Sequence, residues 1–160
     1  MYKIVMLSAG LLLGLILARV FFFIMTVKTD SMNPALQSGN RLLVSRLASC
    51  GKGDIVAMES PVEEGKLLLA RIVASEYETV EIRNRIVYIN DRVADFPWKT
   101  IKNDYSILPM KFTYRDNMPP VKLGRNEFFV MGDNYDKSYD SRTFGAIPGR
   151  LIEGKIIYIH

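Results

Sequence analysis

The stretch that decides the fold is Val80-Glu81-Ile82-Arg83-Asn84-Arg85-Ile86-Val87-Tyr88-Ile89. It contains two short runs rich in β-branched and aromatic residues, 80–83 and 86–89, which are typical of strands. The polar pair Asn84-Arg85 separates them, and a two-residue connection between two strands predicts an antiparallel hairpin. The middle of the chain is therefore expected to form β-sheet.

Similar runs separated by turn residues continue on both sides of this hairpin, and few stretches show helical periodicity. These further runs cover residues 41–45, 54–58, 66–74, 127–131 and 155–159. We therefore predict an all-β domain with a mostly antiparallel sheet over residues 20–160. Segment 90–124 is less regular and carries four prolines, so it is interpreted as an insertion or flap between core strands.

The N-terminal segment has a different character. After a short basic start, residues 4–17 are almost wholly apolar. As a helix this run covers about 21 Å, which is short of the ~30 Å hydrocarbon core unless flanking residues contribute. Arg19 interrupts the run, and residues 20–27 favour a strand leaving the membrane surface. We predict one transmembrane helix, a membrane anchor, within residues 1–19.

A cleaved signal peptide is the alternative for this segment. It requires a small-x-small cleavage site after the apolar run, and none lies between Ala18 and Ser31. An uncleaved, single-pass anchor is therefore favoured. Lys3 would hold the N-terminus in the cytoplasm, although Arg19 on the other flank opposes this, and the β domain would then lie on the extracytoplasmic side of the cell membrane.

The composition limits the other classes of function. A length of 160 residues suits one domain, and the net charge of +4 is scattered along the sequence rather than gathered in a basic stripe. Nucleic-acid binding is therefore not expected, and attraction to an anionic lipid bilayer is favoured. Cys50 is the only cysteine, so an internal disulfide is excluded, and a buried structural thiol is favoured over a reactive one.

Four motifs follow the N-terminal segment. Ser31-Met32-Asn33-Pro34 alone would indicate only a turn, but Gly53-Asp54-Ile55-Val56 and Arg71-Ile72-Val73 follow it. The last motif is Gly132-Asp133-Asn134, then three residues, then Ser138-Tyr139-Asp140-Ser141-Arg142. In this order, behind an N-terminal anchor, the motifs resemble those of type I signal peptidases, and the resemblance runs from about Arg19 to the C-terminus.

The resemblance implies a Ser/Lys dyad protease on an all-β fold, which removes signal peptides from exported precursor proteins and uses no metal or other cofactor. Ser31 matches the nucleophile. Its backbone N–H and the hydroxyl of Thr29 match the oxyanion hole, in which each donor is worth roughly 3 kcal/mol. Thr29 is a departure, because family members have Ser or Gly at that position.

The resemblance also implies a substrate groove and residues that support the site. The substrate would bind as an added strand between two exposed edges, with shallow pockets for small side chains. The pocket positions are Met25, Val27, Met32, Leu36, Leu68 and Leu69, for which plain core packing is an equal alternative. Ser138 matches a residue that orients the lysine, and ion pairs that hold the site together are matched by Asp133, Asp140, Arg142 and Arg71.

One position breaks the pattern. The family has a lysine immediately before the arginine, in the strand that here reads Leu69-Ala70-Arg71. Such a lysine acts as general base because burial lowers its pKa, whereas Ala70 carries no proton acceptor. Lys66 shares the strand face of position 70 but lies about 13 Å away. Arg71 alternates to the other face and stays protonated.

No other residue is a good substitute for the base. Lys28 is close to Ser31 in sequence but is expected to be solvated, and His160, the only histidine, is the last residue. Loss of the base in serine hydrolases costs on the order of 10⁴ to 10⁶ in rate. We therefore expect the chain to bind precursors and scarcely to cleave them. Segment 74–78 also departs from the family pattern, so Ala70 is either natural to the chain or a deliberate replacement of lysine.

Other functions stay open. The chain could be a non-catalytic assembly factor or chaperone that holds exported precursors, for example surface-fibre subunits, in the same groove. A self-cleaving Ser/Lys relative of the repressor type would share the fold, but the hydrophobic anchor and the absence of a DNA-binding segment disfavour it. A structural β domain with accidental motifs fits least.

Overall fold

The computed structural model describes residues 6, 10, 14 and 19–160. The predicted anchor, residues 1–19, therefore lies almost entirely outside the described residues. Within the part of the chain that the structure describes, no helix is both long enough and apolar enough to cross a membrane.

Residues 19–160 form eleven strands in two sheets. The larger sheet has seven strands in the order β1-β2-β11-β3-β4-β9-β10, and all neighbouring pairs are antiparallel. Its strands are β1 (Phe22–Thr26), β2 (Arg41–Ser45), β3 (Ile55–Glu59), β4 (Leu67–Ala74), β9 (Glu127–Met131), β10 (Ile147–Pro148) and β11 (Ile152–Ile159). The prediction of an all-β, antiparallel fold is confirmed.

The smaller sheet has four strands in the order β7-β6-β5-β8. They are β5 (Thr79–Arg83), β6 (Ile86–Ile89), β7 (Arg92–Val93) and β8 (Met118–Lys122). A short helix, α1 (Ser141–Phe144), and a 3₁₀ turn, Gly149–Leu151, connect strands of the larger sheet.

The predicted hairpin is formed by β5 and β6, with Arg83 paired with Ile86. Both connecting residues have positive backbone angles, with φ of 48° at Asn84 and 68° at Arg85. This is the geometry of a type I′ turn, whose twist matches that of two paired strands. The local sequence therefore specifies the connection as well as the strands.

The core follows from the alternation of side chains along β4. Val73 contributes to an apolar cluster that includes Val80, Ile82 and Val87 of the smaller sheet, whereas its neighbour Ile72 packs in a separate cluster on the opposite face. Burying one such side chain contributes about 1.5–3 kcal/mol. This alternation packs the two sheets against each other and leaves residues 70–74 of β4 buried on both faces.

Segment 90–124 contains β7 and β8, which are the two edge strands of the smaller sheet. Pro119 and Pro120 lie in β8. Proline has no N–H donor, and an edge strand tolerates this because one of its sides has no partner strand. Between these strands the chain contacts the loop that follows β9. There Ile101 donates a backbone hydrogen bond to Asp133 O at 2.8 Å and accepts one from the Tyr135 N–H at 2.9 Å.

Candidate active site

Ser31 lies in the turn that follows β1. Its hydroxyl oxygen is 3.0 Å from Thr29 Oγ1. Its carbonyl oxygen accepts hydrogen bonds from the Asn134 N–H at 3.0 Å and from the Ser138 hydroxyl at 2.9 Å. Ser138 is 107 positions away in the sequence. The last motif therefore holds the backbone of the turn that carries Ser31.

The residue before Ser31 is held by the same loop. Asn134 Nδ2 donates to Asp30 O at 3.2 Å, and Lys137 Nζ lies 3.2 Å from Asp30 Oδ2. The sequence pattern assigns no role to Asn134 or Lys137. Both contacts join residues more than 100 positions apart, so no local signal could have indicated them.

Asp140 organises the end of the last motif. Its carboxylate caps α1 by accepting from the Arg142 N–H at 3.1 Å, and it also accepts from the Gly132 N–H at 3.0 Å. The guanidinium of Arg142 donates to both carboxylate oxygens, at 2.9 and 2.7 Å. Burial alone would lower the pKa of Arg142, but Asp140 raises it. The buried ion pair of Asp140 and Arg142 therefore connects the two ends of the last motif, since Asp140 also bonds to Gly132.

Arg71 and Asp133 form a second buried ion pair. Arg71 Nε and Nη2 lie 2.8 and 2.5 Å from the two carboxylate oxygens of Asp133, whose side chain is only 1% exposed. Arg71 Nη1 donates to Gly53 O at 2.8 Å, and the guanidinium carbon lies 4.8 Å from the ring centroid of Trp98. Sequence reasoning did not single out Trp98, which reaches Arg71 from segment 90–124.

Ala70 faces the side of the sheet that carries the Ser31 turn. Strands β4 and β9 are paired, and continuing their register by one residue places Ala70 opposite Gly132. Paired residues of an antiparallel ladder present their side chains on the same face. A Cβ atom built on Gly132 would lie 1.9 Å from Ser138 Oγ and 2.5 Å from Ser31 O. The methyl group of Ala70 therefore points towards this same region.

The surroundings of Ala70 are apolar. The residue is 3% exposed and packs in the cluster formed by Val56, Met58, Ile72, Val130 and Ile147. Such an environment would lower the pKa of a lysine placed there, because burial disfavours the charged amine. Alanine itself offers neither a proton acceptor nor a charge.

A groove of about 860 Å³ runs past Ser31 and Thr29. Three of the predicted pocket residues line it, namely Met25, Leu68 and Leu69. The other three, Val27, Met32 and Leu36, are at most 2% exposed and pack with Leu42. Direct contact between substrate and these three side chains is therefore not expected, because almost none of their surface is accessible, and for them the core-packing alternative applies.

The same groove is lined by three lysines, Lys28, Lys66 and Lys137. Lys66 Nζ pairs with Glu63 Oε1 at 2.6 Å, and Lys137 pairs with Asp30. His160 lies beside Arg41 of β2, and its backbone N–H donates a hydrogen bond to Arg41 O. Across the described residues, no three His, Cys, Asp or Glu side chains are grouped as metal ligands.

Gly132→Ala is expected to lower the free energy of unfolding by about 1–3 kcal/mol, the usual cost of overpacking. The added methyl group would overlap Ser138 Oγ and the Ser31 carbonyl, so the loop and the turn must separate. Urea unfolding measures the change. Gly51→Ala is the matched control, because a Cβ there meets nothing within 4 Å. Equal effects of the two substitutions would contradict the close approach at Gly132.

The antiparallel fold, the groove and the serine held by a distant motif together define a domain of the serine endopeptidase class. The chain belongs to the signal peptidase family, since the sequence model described as "Signal peptidase, peptidase S26" matches residues 1–160.

Individual relatives agree with this assignment. The chain is 29% identical over 163 residues to the "Probable signal peptidase I-1" of Synechocystis sp., covering 92% of this chain and 78% of the relative. It is 33% identical over 137 residues to "Signal peptidase I V" of Bacillus subtilis, covering 81% and 80%. The crystal structure of a signal peptidase I from Enterococcus faecalis superposes with a TM-score of 0.52 at 25% identity, covering 69% of this chain and 98% of the other.

Proposed function

We propose that the chain is a membrane-anchored signal peptidase I, in which Ser31 is the nucleophile and the absence of a lysine at position 70 strongly impairs cleavage. The observation that supports this is the convergence of three elements. A Cβ at Gly132, one residue past β9, would contact Ser138 Oγ and the Ser31 carbonyl, and the register of β4 and β9 continued by one residue sets Ala70 opposite Gly132. A base at position 70 would lie on the face that carries the serine.

The proposed roles follow from the geometry around Ser31. The Ser31 N–H and the Thr29 hydroxyl form the oxyanion hole, and the distance of 3.0 Å between the Thr29 and Ser31 hydroxyl oxygens supports this role. The signal peptide of an exported precursor lies in the groove as an added strand, with its small side chains near Met25 and Leu69. Ser138 and the two buried ion pairs hold the turn in place.

In this proposal, residues 1–19 form a single-pass anchor in the cell membrane. Residues 20–160 form the peptidase domain on the extracytoplasmic side, and 90–124 is an insertion within it. The apolar run at 4–17 followed by Arg19 supports the anchor, and the start of β1 at Phe22 allows the sheet to begin directly after it.

The second candidate is a natural signal peptidase homologue that binds exported precursors without cutting them, as an assembly factor or chaperone. The apolar packing of Ala70 and the ion pairs of Lys66 and Lys137 favour it, because two of the three lysines of the groove are already paired with carboxylates. Both candidates use the same groove and differ in whether Ser31 performs chemistry.

Binding to the groove is tested with labelled precursor peptides and the full chain in detergent micelles. A peptide with alanine at the first and third positions before the cut should bind at least about tenfold more tightly than one with phenylalanine at the first position, a difference of ~1.4 kcal/mol. Equal affinities, measured by fluorescence anisotropy, would contradict a groove that selects small side chains.

Ser31→Ala separates the two candidates through the slow precursor cleavage that the first candidate retains without a base at position 70. Loss of precursor processing indicates a peptidase, since the variant retains the groove but loses the hydroxyl. An unchanged phenotype supports the binding factor. Peptide affinity of the purified variant is the control, because it shows that the groove is intact.

A further inference from the structure

Trp98 packs against the apolar cluster that includes Val80, and it also contacts Arg71. The guanidinium carbon of Arg71 lies 4.8 Å from the centroid of the indole ring. A Cβ atom built on Gly53 would lie 3.5 Å from Trp98 Cζ3, so the ring lies close to Gly53 as well. The carbonyl of Gly53 accepts a hydrogen bond from Arg71 Nη1 at 2.8 Å. Trp98 therefore contacts the arginine and one of the groups to which the arginine bonds.

The arginine extends this contact to the loop that follows β9. Arg71 forms the bidentate ion pair with Asp133, and only 10% of its side chain is exposed. A cleft of about 940 Å³ is lined by Arg71, Trp98 and Phe96. Without the indole ring this cleft would extend over the guanidinium, and water would compete for the hydrogen bonds of the ion pair. A cation is attracted to the face of an aromatic ring, most strongly where both are withdrawn from water.

Residues 133–135 bond to a different partner on each side. Ile101 bonds to the two outer residues, at 2.8 and 2.9 Å, and pairs with Asn134 as a parallel β-bridge. The N–H of Asn134 points the other way and donates to Ser31 O at 3.0 Å. This stretch therefore links the segment that carries Trp98 to the turn that carries Ser31.

We propose that Trp98 is a positioning residue for Ser31, acting through Arg71 and residues 133–135. The ring fixes the guanidinium, the guanidinium fixes Asp133, and the next N–H along the chain fixes the Ser31 carbonyl. The inference rests on the proposed function only for the role of Ser31 in the groove, because the path itself consists of contacts within the domain. Trp98 is not among the described residues that line the groove, so a peptide bound there is not expected to contact it.

Ordinary packing is the alternative explanation for Trp98, and Phe96 separates the two. Phe96 packs against the same apolar cluster and stacks on Trp98, with ring centroids 4.6 Å apart and 21° between the ring planes. The contact with the guanidinium of Arg71 belongs to Trp98. A substitution of Phe96 therefore disturbs packing and stacking but leaves the arginine covered.

The first experiment compares three variants of the full chain in detergent micelles. Trp98→Leu removes the ring, Trp98→Tyr retains an aromatic face for the guanidinium, and Phe96→Leu is the matched control. Trp98 is only half-buried, so these variants are expected to fold, and urea unfolding of each one checks this. The measurement is the affinity for the precursor peptide with alanine at the first and third positions before the cut.

Trp98→Leu should weaken peptide binding about five- to tenfold, the scale of one desolvated cation–aromatic contact. The reason is that the Ser31 turn forms part of the groove wall and would no longer be held in place. Phe96→Leu should stay within about twofold of the unmodified chain, the usual scatter between independent sites. Trp98→Tyr should recover most of the affinity. Equal weakening by Trp98→Leu and Phe96→Leu, or no weakening by Trp98→Leu, would overturn the proposal.

A double-mutant cycle tests the same path without a peptide. Ser138→Ala removes the hydroxyl that bonds to the Ser31 carbonyl. If Trp98 holds this region, then Ser138→Ala should change the unfolding equilibrium constant several-fold less in Trp98→Leu than in the unmodified chain. In Phe96→Leu its effect should be unchanged. Additive effects in both backgrounds would overturn the proposal.

The two experiments also separate this proposal from the proposed function. If no precursor peptide binds but the cycle shows coupling, then the groove assignment fails and the positioning of the Ser31 turn by Trp98 is supported. If peptides with small side chains bind selectively and Trp98→Leu changes neither the affinity nor the cycle, then the groove assignment is supported and the role of Trp98 is overturned.

Discussion

Ala70→Lys is expected to raise the rate of precursor cleavage by about 10⁴- to 10⁶-fold, which corresponds to roughly 5–8 kcal/mol of transition-state stabilisation. Ala70 is 3% exposed and lies on the face where Ser138 and the Ser31 carbonyl meet. A lysine there would extend its amine towards the serine. The apolar cluster around it would lower the pKa of the amine, so the neutral form could accept the serine proton near neutral pH.

The measurement is the cleavage rate of a precursor with small residues before the cut, compared with the unmodified chain. Ala70→Met is the matched control, because methionine is also long and unbranched but carries no amine. Adding Ser31→Ala to Ala70→Lys should abolish the gain. If Ala70→Lys folds but cleaves no such precursor, then a missing base is not the only defect, and the altered segment 74–78 becomes the next place to look.

Asp133→Ala is expected to lower the free energy of unfolding by about 3–5 kcal/mol, because it leaves the guanidinium of Arg71 buried without its counter-charge. The pair is bidentate, and both partners are at least nine-tenths buried. The same change should weaken peptide binding, since the N–H of the following residue, Asn134, holds the Ser31 carbonyl. Chemical denaturation measures the first effect, and peptide affinity measures the second.

Two controls show whether the loss comes from the unpaired charge. Removing both partners with Arg71→Met and Asp133→Leu should restore much of the stability, because a buried ion pair can often be replaced by apolar side chains. Glu63→Ala, which breaks the exposed pair with Lys66, should change stability by less than about 1 kcal/mol. A loss from Asp133→Ala as small as that from Glu63→Ala would contradict the importance of the buried pair.

Most of the strands could be predicted because their signals are local. Residues 41–45 and 127–131 form strands with the predicted bounds, and the hairpin is centred on Asn84-Arg85 as predicted. The last strand begins at Ile152, three residues before the predicted start. In β11 the pairing with β3 includes an irregularity between Ile152 and Gly154, and such an offset depends on the partner strand as well as on the local sequence.

The candidate site could be predicted only in part. The order of the motifs indicated Ser31, Ser138 and the two ion pairs, but half of the predicted pocket residues are buried beneath the groove. Met25 and Val27 belong to the same stretch of chain, yet Met25 lines the groove and Val27 is 2% exposed. Which apolar side chains remain accessible depends on the packing of β1 against its neighbours.

The sequence by itself determined that the chain is an all-β member of a serine peptidase family and that position 70 carries no base. These properties are local or depend on the order of motifs, so they can be read without coordinates. Only the tertiary structure decided that Ala70 lies in a buried apolar cluster, that Lys66 and Lys137 are already ion-paired, and that loop 105–114 presents its apolar side chains outwards. These depend on strand register and on contacts between residues far apart in the chain, and side-chain periodicity does not encode such distances.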